Sequence, residues 1–285
     1  LKRKYARAKK RLGQNFLYDP AIARKIVAAA DLAPGDVVVE LGAGRGILTR
    51  ALLERGVRLI ALELDSALHE DLSADLYTSG SGQTASSAGS GLELLNEDFT
   101  SVSLGNLLRD RGLDKCALMG NIPYNLTREV LFGYLVDGHT SIDRAVIMVQ
   151  KEVADRVVSP PGSRVYGITS VILQTLYEVR VALKVAPGSF QPRPKVASSV
   201  LHFRPVAQAA LGEDELPGFI ALVKNVFQQR RKTLQNTLKS FYSLDGGQLD
   251  TISQASGVDL GARPEALSKE DFHRLARSLA RESKR

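Results

Sequence analysis

The stretch VVVELGAGRGILT, residues 37–49, decides the fold: an apolar strand runs into a glycine-rich turn and then into a helix. Gly42, Gly44 and Gly46 let the backbone pass close to a ligand, and Glu63 ends the next strand 21 residues after Gly42, where a carboxylate can bind ribose hydroxyls. A dinucleotide fingerprint requires glycines at 42, 44 and 47, but position 47 is Ile and the third glycine is Gly46. That mismatch demotes a nicotinamide cofactor. Glu40, just before the turn, adds an acid to the same cleft and suits a ligand with a cationic amino-acid end, as S-adenosylmethionine has. The bland alternatives are a plain tight turn and a solvated strand end.

Working outward, strand-like runs at 37–41, 57–64, 92–98, 116–122, 144–150, 180–186 and 197–203 alternate with helical ones, the pattern of a parallel sheet wrapped by helices. A helix opening at Asp19 and Pro20 precedes the sheet, and ILTRALLERG, TREVLFGYLVDG and GITSVILQTLYEV read as helices between strands. The link between the last two strands is too short for a crossover, so an antiparallel pair is expected at one edge. Residues 79–91, SGSGQTASSAGSG, form a small polar tract expected to be a flexible surface insertion. Strand patterning stops near Pro205. We therefore expect an α/β domain over 1–205 and a small helical domain over 206–285.

The 285 residues supply a core large enough to need no disulfide staple, and the single Cys116 sits in an apolar run. Four scattered histidines lack ligand spacing, so no metal is expected. Neither an 18-residue apolar run nor a secretion segment is visible, which predicts a soluble protein that is not exported, cytoplasmic or in an organelle, with no membrane partner. Formal charge is +7, but residues 1–11, with Lys9, Lys10 and Arg11, hold seven Lys or Arg and no acid, and residues 224–239 hold five and no acid. Removing those twelve leaves 26 basic against 31 acidic residues, so the positive field is local. A phosphate backbone is the partner that such clusters attract through counterion release, with a solvated tail and helix face as the alternative.

Two further strand ends carry polar groups. Asp98, in NEDF, can accept from an adenine amino group or cap the segment after it. NIPYN, residues 121–125, places an amide, a proline and an aromatic ring at the end of the fourth strand. The exocyclic amine of a base is a poor nucleophile because its lone pair is delocalised into the ring. Acceptors on both of its hydrogens, the Asn121 side-chain oxygen and the Ile122 carbonyl, favour a pyramidal nitrogen aimed at a methyl donor. Pro123 fixes the backbone, and Tyr124 offers its face to an unstacked base. A proline turn with a half-buried tyrosine is the structural alternative.

In this order the residues resemble the ribosomal RNA adenine dimethyltransferases of the KsgA type, related to the erythromycin-resistance methyltransferases. The likeness runs through LGQNFL (12–17), ELGAGRGILT (40–49), LELD (62–65), ED (97–98), NIPYN (121–125), QKEVADRV (150–157), YGITSVILQ (166–174), FQPRPKV (190–196), FQQRRKTLQN (227–236) and RPEALSKEDF (263–272). It implies a seven-stranded, Rossmann-like class I methyltransferase sheet with a helical C-terminal domain. It also implies dimethylation at N6 of two adjacent adenosines near the 3′ end of small-subunit RNA. By position it places Gln14, Asn15 and Leu17 at the methionine end of S-adenosylmethionine with Gly42 and Gly44, Glu63 on the ribose, Asp98 on the adenine, and Asn121 between donor and target. Phe190 is implied to sandwich the target base opposite Tyr124, and Arg230, Arg231 and Lys232 to grip RNA phosphate. The implied partner is small-subunit ribosomal RNA or its assembling particle, met by a monomer. A resistance-type enzyme acting on large-subunit RNA, and an RNA-binding assembly or transcription factor on the same fold, are the rival readings.

Overall fold

The computed structural model describes residues 13–78, 91–208 and 210–282. The basic residues Lys9, Lys10 and Arg11, and all of the glycine and serine tract except Gly91, lie outside them. Among the described residues the strands are β1 (Phe16–Leu17), β2 (Val37–Leu41), β3 (Arg58–Leu62), β4 (Gly91–Leu95), β5 (Cys116–Asn121), β6 (Ile142–Gln150), β7 (Tyr177–Val185), β8 (Phe190–Gln191) and β9 (Ser198–Pro205). The helices are α1 (Pro20–Ala28), α2 (Ile47–Leu53), α3 (Ser66–Thr78), α4 (Leu104–Arg109), α5 (Lys151–Val157), α6 (Ile168–Leu176), α7 (Leu216–Gln228), α8 (Leu234–Tyr242), α9 (Gly246–Ser256) and α10 (Lys269–Glu282).

Seven strands form one sheet in the order β4-β3-β2-β5-β6-β9-β7, and β1 pairs with β8 as a separate antiparallel ribbon. The first five strands of the order run parallel, and β9 is antiparallel to β6, with Ala145 opposite Phe203. The last two strands of the sheet do lie side by side at the edge, with the antiparallel β9 between β6 and β7. From β2 the chain first builds outward through β3 and β4, then returns to lay β5 on the other side of β2. That reversal opens a crevice at the carboxyl ends of β2 and β5, where ligands bind in open α/β sheets.

Burial on both faces explains the unbroken apolar runs. Val38, Leu59, Ala61, Ala117, Met119, Val146 and Met148 face one layer, packed with Ala23, Ile26 and Val27 of α1, Leu48, Ala51 and Leu52 of α2, and Leu72 and Leu76 of α3. By the two-residue period, Val39, Leu41, Ile60, Leu62 and Leu118 point to the opposite face, and all are 0 to 1% exposed. Asp19 caps α1 as expected, its Oδ1 accepting from the amide of Ala21 at 2.9 Å, with Pro20 in the first turn.

Three local expectations change. Glu129–Tyr134 is a π-helix and not an α-helix, with Leu135 N–H donating to Val130 O at 3.1 Å. Apolar spacing over six residues does not distinguish the two windings. The helix at 168 ends at Leu176, and the next strand starts three residues earlier than expected, at Tyr177. The described residues also divide by more than one cut at 205: those through Ala154 group with Val179–Pro205, and Asp155–Glu178 groups with the residues from Val206 onward. The segment joins the helical unit because α6 and the loop before it bond within it. Tyr166 packs edge-on to Phe227 at 6.3 Å, and Thr175 Oγ1 lies 3.0 Å from His273 Nε2.

Gly46 starts α2 with φ +74°, and a Cβ there would come within 2.2 Å of Leu72 Cδ1. Gly46→Ala is expected to lower the unfolding free energy by roughly 2 kcal/mol, from the left-handed backbone and displacement of buried Leu72. Urea unfolding measures it; an unchanged midpoint contradicts the assignment.

Candidate active site

The carboxyl ends of β2, β3 and β5 converge on one cleft. Gln14, Asn15, Leu17, Glu40, Gly42, Gly44, Glu63, Asp98, Asn121, Ile122 and Tyr124 all line it. The register that brings them together pairs Leu41 with both Leu62 and Gly120, so Gly42, Glu63 and Asn121 leave the sheet at one level.

Three acids follow one another along the cleft. Glu40 is 1% exposed, and its Oε2 accepts from Thr49 Oγ1 at 2.8 Å. Burial, then the neighbouring Glu63 carboxylate, pushes its pKa up to about 7 against the Thr49 hydrogen bond. Glu63 is held at both oxygens, Oε2 accepting from Gly44 N–H at 2.7 Å and Oε1 from Asp65 N–H at 2.8 Å. Burial raises its pKa, and those two amides oppose the rise. Each bonded oxygen keeps a lone pair for a ligand hydroxyl. Asp98 lies three residues beyond β4 and not at its end, as N-cap of the turn Phe99–Ser101. Its Oδ1 accepts from the amide and hydroxyl of Thr100 at 2.9 and 2.7 Å, leaving Oδ2 available to a ligand. The cap and the cleft residue are thus the same side chain.

The amide loop lines the same cleft. Asn121 Nδ2 donates to the Asn15 carbonyl at 3.2 Å, which leaves its Oδ1 as an acceptor. Ile122 follows, 1% exposed, with its N–H donating to the Met148 carbonyl at 3.4 Å. Tyr124 is half-buried with its hydroxyl 2.8 Å from Ser198 Oγ, so the ring is tethered at its far end. Burial raises the phenol pKa, and the Ser198 contact opposes it.

Phe190 is not brought among the cleft-lining residues: it is 4% exposed and packs in the sheet core with Leu17, Val185 and Val200, its backbone paired with Leu17 in the β1–β8 ribbon. An aromatic residue beside prolines satisfies a core position as readily as a stacking one. Arg230 also differs from expectation. Its Nη2 donates to the Arg164 carbonyl at 2.9 Å and its Nε lies 3.5 Å from Glu265, so it shapes the turn between α7 and α8, whereas Arg231 and Lys232 on that turn are exposed.

Several site residues escaped the sequence reading. The Phe16 ring lies 3.4 Å from the place a Cβ on Gly44 would take, and the Arg45 guanidinium sits 4.3 Å from its centroid. Asn96 donates to the carbonyl of Glu63 at 2.8 Å and accepts from Ser66 at 2.9 Å, joining the loops after β3 and β4. Phe99 forms cleft wall beside Asp98. The polar, glycine-turn setting of Arg45 was the one signal available. Among the described residues no His, Cys, Asp and Glu cluster could hold a metal ion, and no helix is long and apolar enough to cross a membrane.

A family profile described as ribosomal RNA adenine dimethylase matches residues 5–281. Proteins named ribosomal RNA small subunit methyltransferase A are similar over nearly the whole chain. That of Geobacter metallireducens is 38% identical over 96% of each chain, and that of Anaeromyxobacter sp. (strain K) is 40% identical over 96% of this chain and 94% of its own. Among solved structures, the 23S rRNA methyltransferase ErmE superposes with a TM-score of 0.70 at 25% identity, covering 93% of this chain and all of its own. A dimethyladenosine transferase from Plasmodium falciparum gives 0.74 at 22% identity over 94% and 98%, a likeness of fold.

The raised acid has a sign that can be measured. Between pH 4.5 and about 7 the native state keeps the Glu40 proton that the unfolded chain releases, so this contribution is full below 4.5 and is lost as pH rises through 7. Glu40→Gln is expected to match wild type near pH 4.5 and to exceed it in stability by up to roughly 3 kcal/mol at pH 8. Parallel pH profiles in urea unfolding would contradict a buried protonated acid.

Proposed function

The chain belongs to the ribosomal RNA adenine dimethylase family, and on that premise we propose that it dimethylates N6 of two adjacent adenosines near the 3′ end of small-subunit ribosomal RNA, with S-adenosylmethionine as donor. The observation that supports this reading is that one cleft is lined by an amide acceptor, Asn121, together with three acids, Glu40, Glu63 and Asp98.

The residues present fit the donor. Buried Glu40 suits an ammonium group, which would favour its ionised form; Glu63 suits a pair of ribose hydroxyls; Oδ2 of Asp98 suits an adenine amino group. Gly44 lets backbone and ligand approach where a side chain would intrude on Phe16. When bound, the donor supplies a methyl group made electrophilic by its sulfonium. The chain's own work is on the acceptor. Asn15 holds the nitrogen of the Asn121 amide, which turns its oxygen toward the target amine, and the Ile122 carbonyl takes the second hydrogen. Tyr124, anchored by Ser198, presents a fixed ring for the base to stack on, worth about 1–3 kcal/mol. With the donor bound, the neutral amine would take the methyl group as its bond to sulfur breaks and leaves a neutral thioether; solvent would take the amine proton, so no strong base is required. After the first transfer the amine keeps one hydrogen, and one acceptor of the clamp is released.

The chain is proposed to act in the cytoplasm as a monomer on an assembling small-subunit particle. Exposed Arg231 and Lys232, with the basic residues at 9–11, are proposed to meet RNA phosphate. The small-subunit reading is preferred to the resistance type because the small-subunit methyltransferases are 38–40% identical and ErmE 25%. An acceptor clamp beside a donor cleft argues against binding alone.

The test is incubation with labelled S-adenosylmethionine and separate small- and large-subunit particles lacking the modification, followed by mapping of the labelled bases. Label is expected in two adjacent adenosines near the 3′ end of small-subunit RNA. Label in large-subunit RNA establishes the resistance-type activity, and label in neither overturns the enzyme reading.

A further inference from the structure

Beside the cleft, one buried side chain joins its two halves. Tyr134 is 3% exposed and closes the π-helix Glu129–Tyr134. Its hydroxyl donates to the carbonyl of Phe99 at 2.6 Å and lies 3.1 Å from that of Val102, so it brackets the turn Phe99–Ser101 from both ends. Its ring meets Phe99 edge-on, with centroids 6.3 Å apart and planes at 70°. Phe99 and the cap of that turn, Asp98, are cleft residues. At the other end, the π-helix continues directly from the amide loop, where Thr127 Oγ1 donates to the Tyr124 carbonyl at 3.0 Å. A wide turn of this kind recurs at functional sites because it re-aims a side chain within a helix.

We propose that Tyr134 is a positioning residue for the adenine end of the cofactor: it holds the Asp98–Phe99 turn in place and fastens that turn to the loop that seats the target base. The proposal rests on the reading of Asp98 as the adenine-binding acid. The hydroxyl has one geometry available. Two carbonyls that are three residues apart fall within reach of a single oxygen, which fixes the turn's spacing and with it the direction in which Oδ2 of Asp98 can accept. Burial, then the nearby Asp98, keeps the phenol protonated far above its ordinary range, so the donor is present at every working pH. Tyr134 touches neither reacting atom, and its effect belongs in donor binding, with the transfer step untouched.

Tyr134→Phe keeps the ring against Phe99 and removes only the donor. Calorimetry with S-adenosylmethionine, and with adenosine as a probe of the adenine end alone, is expected to show both dissociation constants rising about five- to tenfold. KM for the donor should rise by the same factor, with kcat and KM for RNA within about twofold of wild type. In an Asp98→Ala background the second substitution should add nothing, because the two act through one contact. Normal donor affinity in Tyr134→Phe, with Asp98→Ala impaired, overturns the role of Tyr134 and leaves the cleft reading standing. Normal affinity in both variants overturns the adenine assignment as well. If Tyr134→Phe does not fold, hydrogen exchange on the wild-type chain carries the test: donor binding should protect the amides of residues 99–102 and 130–135 together, and protection confined to the first stretch overturns the proposal.

Discussion

The site depends on how closely β2 and β5 approach at their carboxyl ends. Leu41 faces Gly120 across that pair, and a Cβ on Gly120 would lie 2.8 Å from the Leu41 carbonyl and 2.7 Å from Ile122 Cδ1. No side chain is tolerated there without moving backbone. With glycine in place, the strand order reverses between two directly bonded strands, and the glycine turn after β2 stands beside the amide loop after β5. The glycine turn and the amide loop are neighbours for that reason.

Charge is then graded along the cleft by depth. Glu40 is the deepest acid and holds its proton near neutrality; Glu63 is tied to two backbone amides; Asp98 lies toward solvent as a helix cap. On the proposed reading, a cationic ligand with hydroxyls and an exocyclic amine would meet a different acid at each of its parts. The amide loop is neutral, with an amide, a backbone carbonyl and a phenol, which suits an uncharged amine acting as a nucleophile. The N-terminal segment links the glycine turn to the amide loop. Phe16 packs between Gly44 and Arg45, and the carbonyl of its neighbour Asn15 orients Asn121.

Much of this was legible in the sequence because it rests on local rules. Glycines at positive φ, acids at strand ends and a proline after an amide each report a backbone state or a position that periodicity already locates. The seven-stranded sheet followed from apolar runs for the same reason. What was not legible depended on partners distant in the chain. Phe190 looks identical in sequence whether it stacks on a base or packs beside Leu17, and its burial is shaped by a two-residue ribbon that pairs it with Leu17, 173 positions away. Arg230 reads as a free cation until Arg164 and Glu265 are beside it. Residues 155–178 carry ordinary helix signals, and only their contacts with α7 and α10 place them in the helical unit. The contact from Asn15 to Asn121 spans 106 residues and involves a backbone carbonyl, which no side-chain pattern announces.

The central claim is that an amide oxygen at the end of β5 makes an adenine amine reactive, an effect separate from any contact it makes with the donor. Single-turnover methyl transfer by Asn121→Ala, measured alongside its dissociation constant for S-adenosylmethionine, tests it most directly. The account predicts transfer slowed by about 100-fold or more with donor affinity within about threefold of wild type. Transfer within tenfold of wild type, or a loss wholly explained by weaker donor binding, would contradict it.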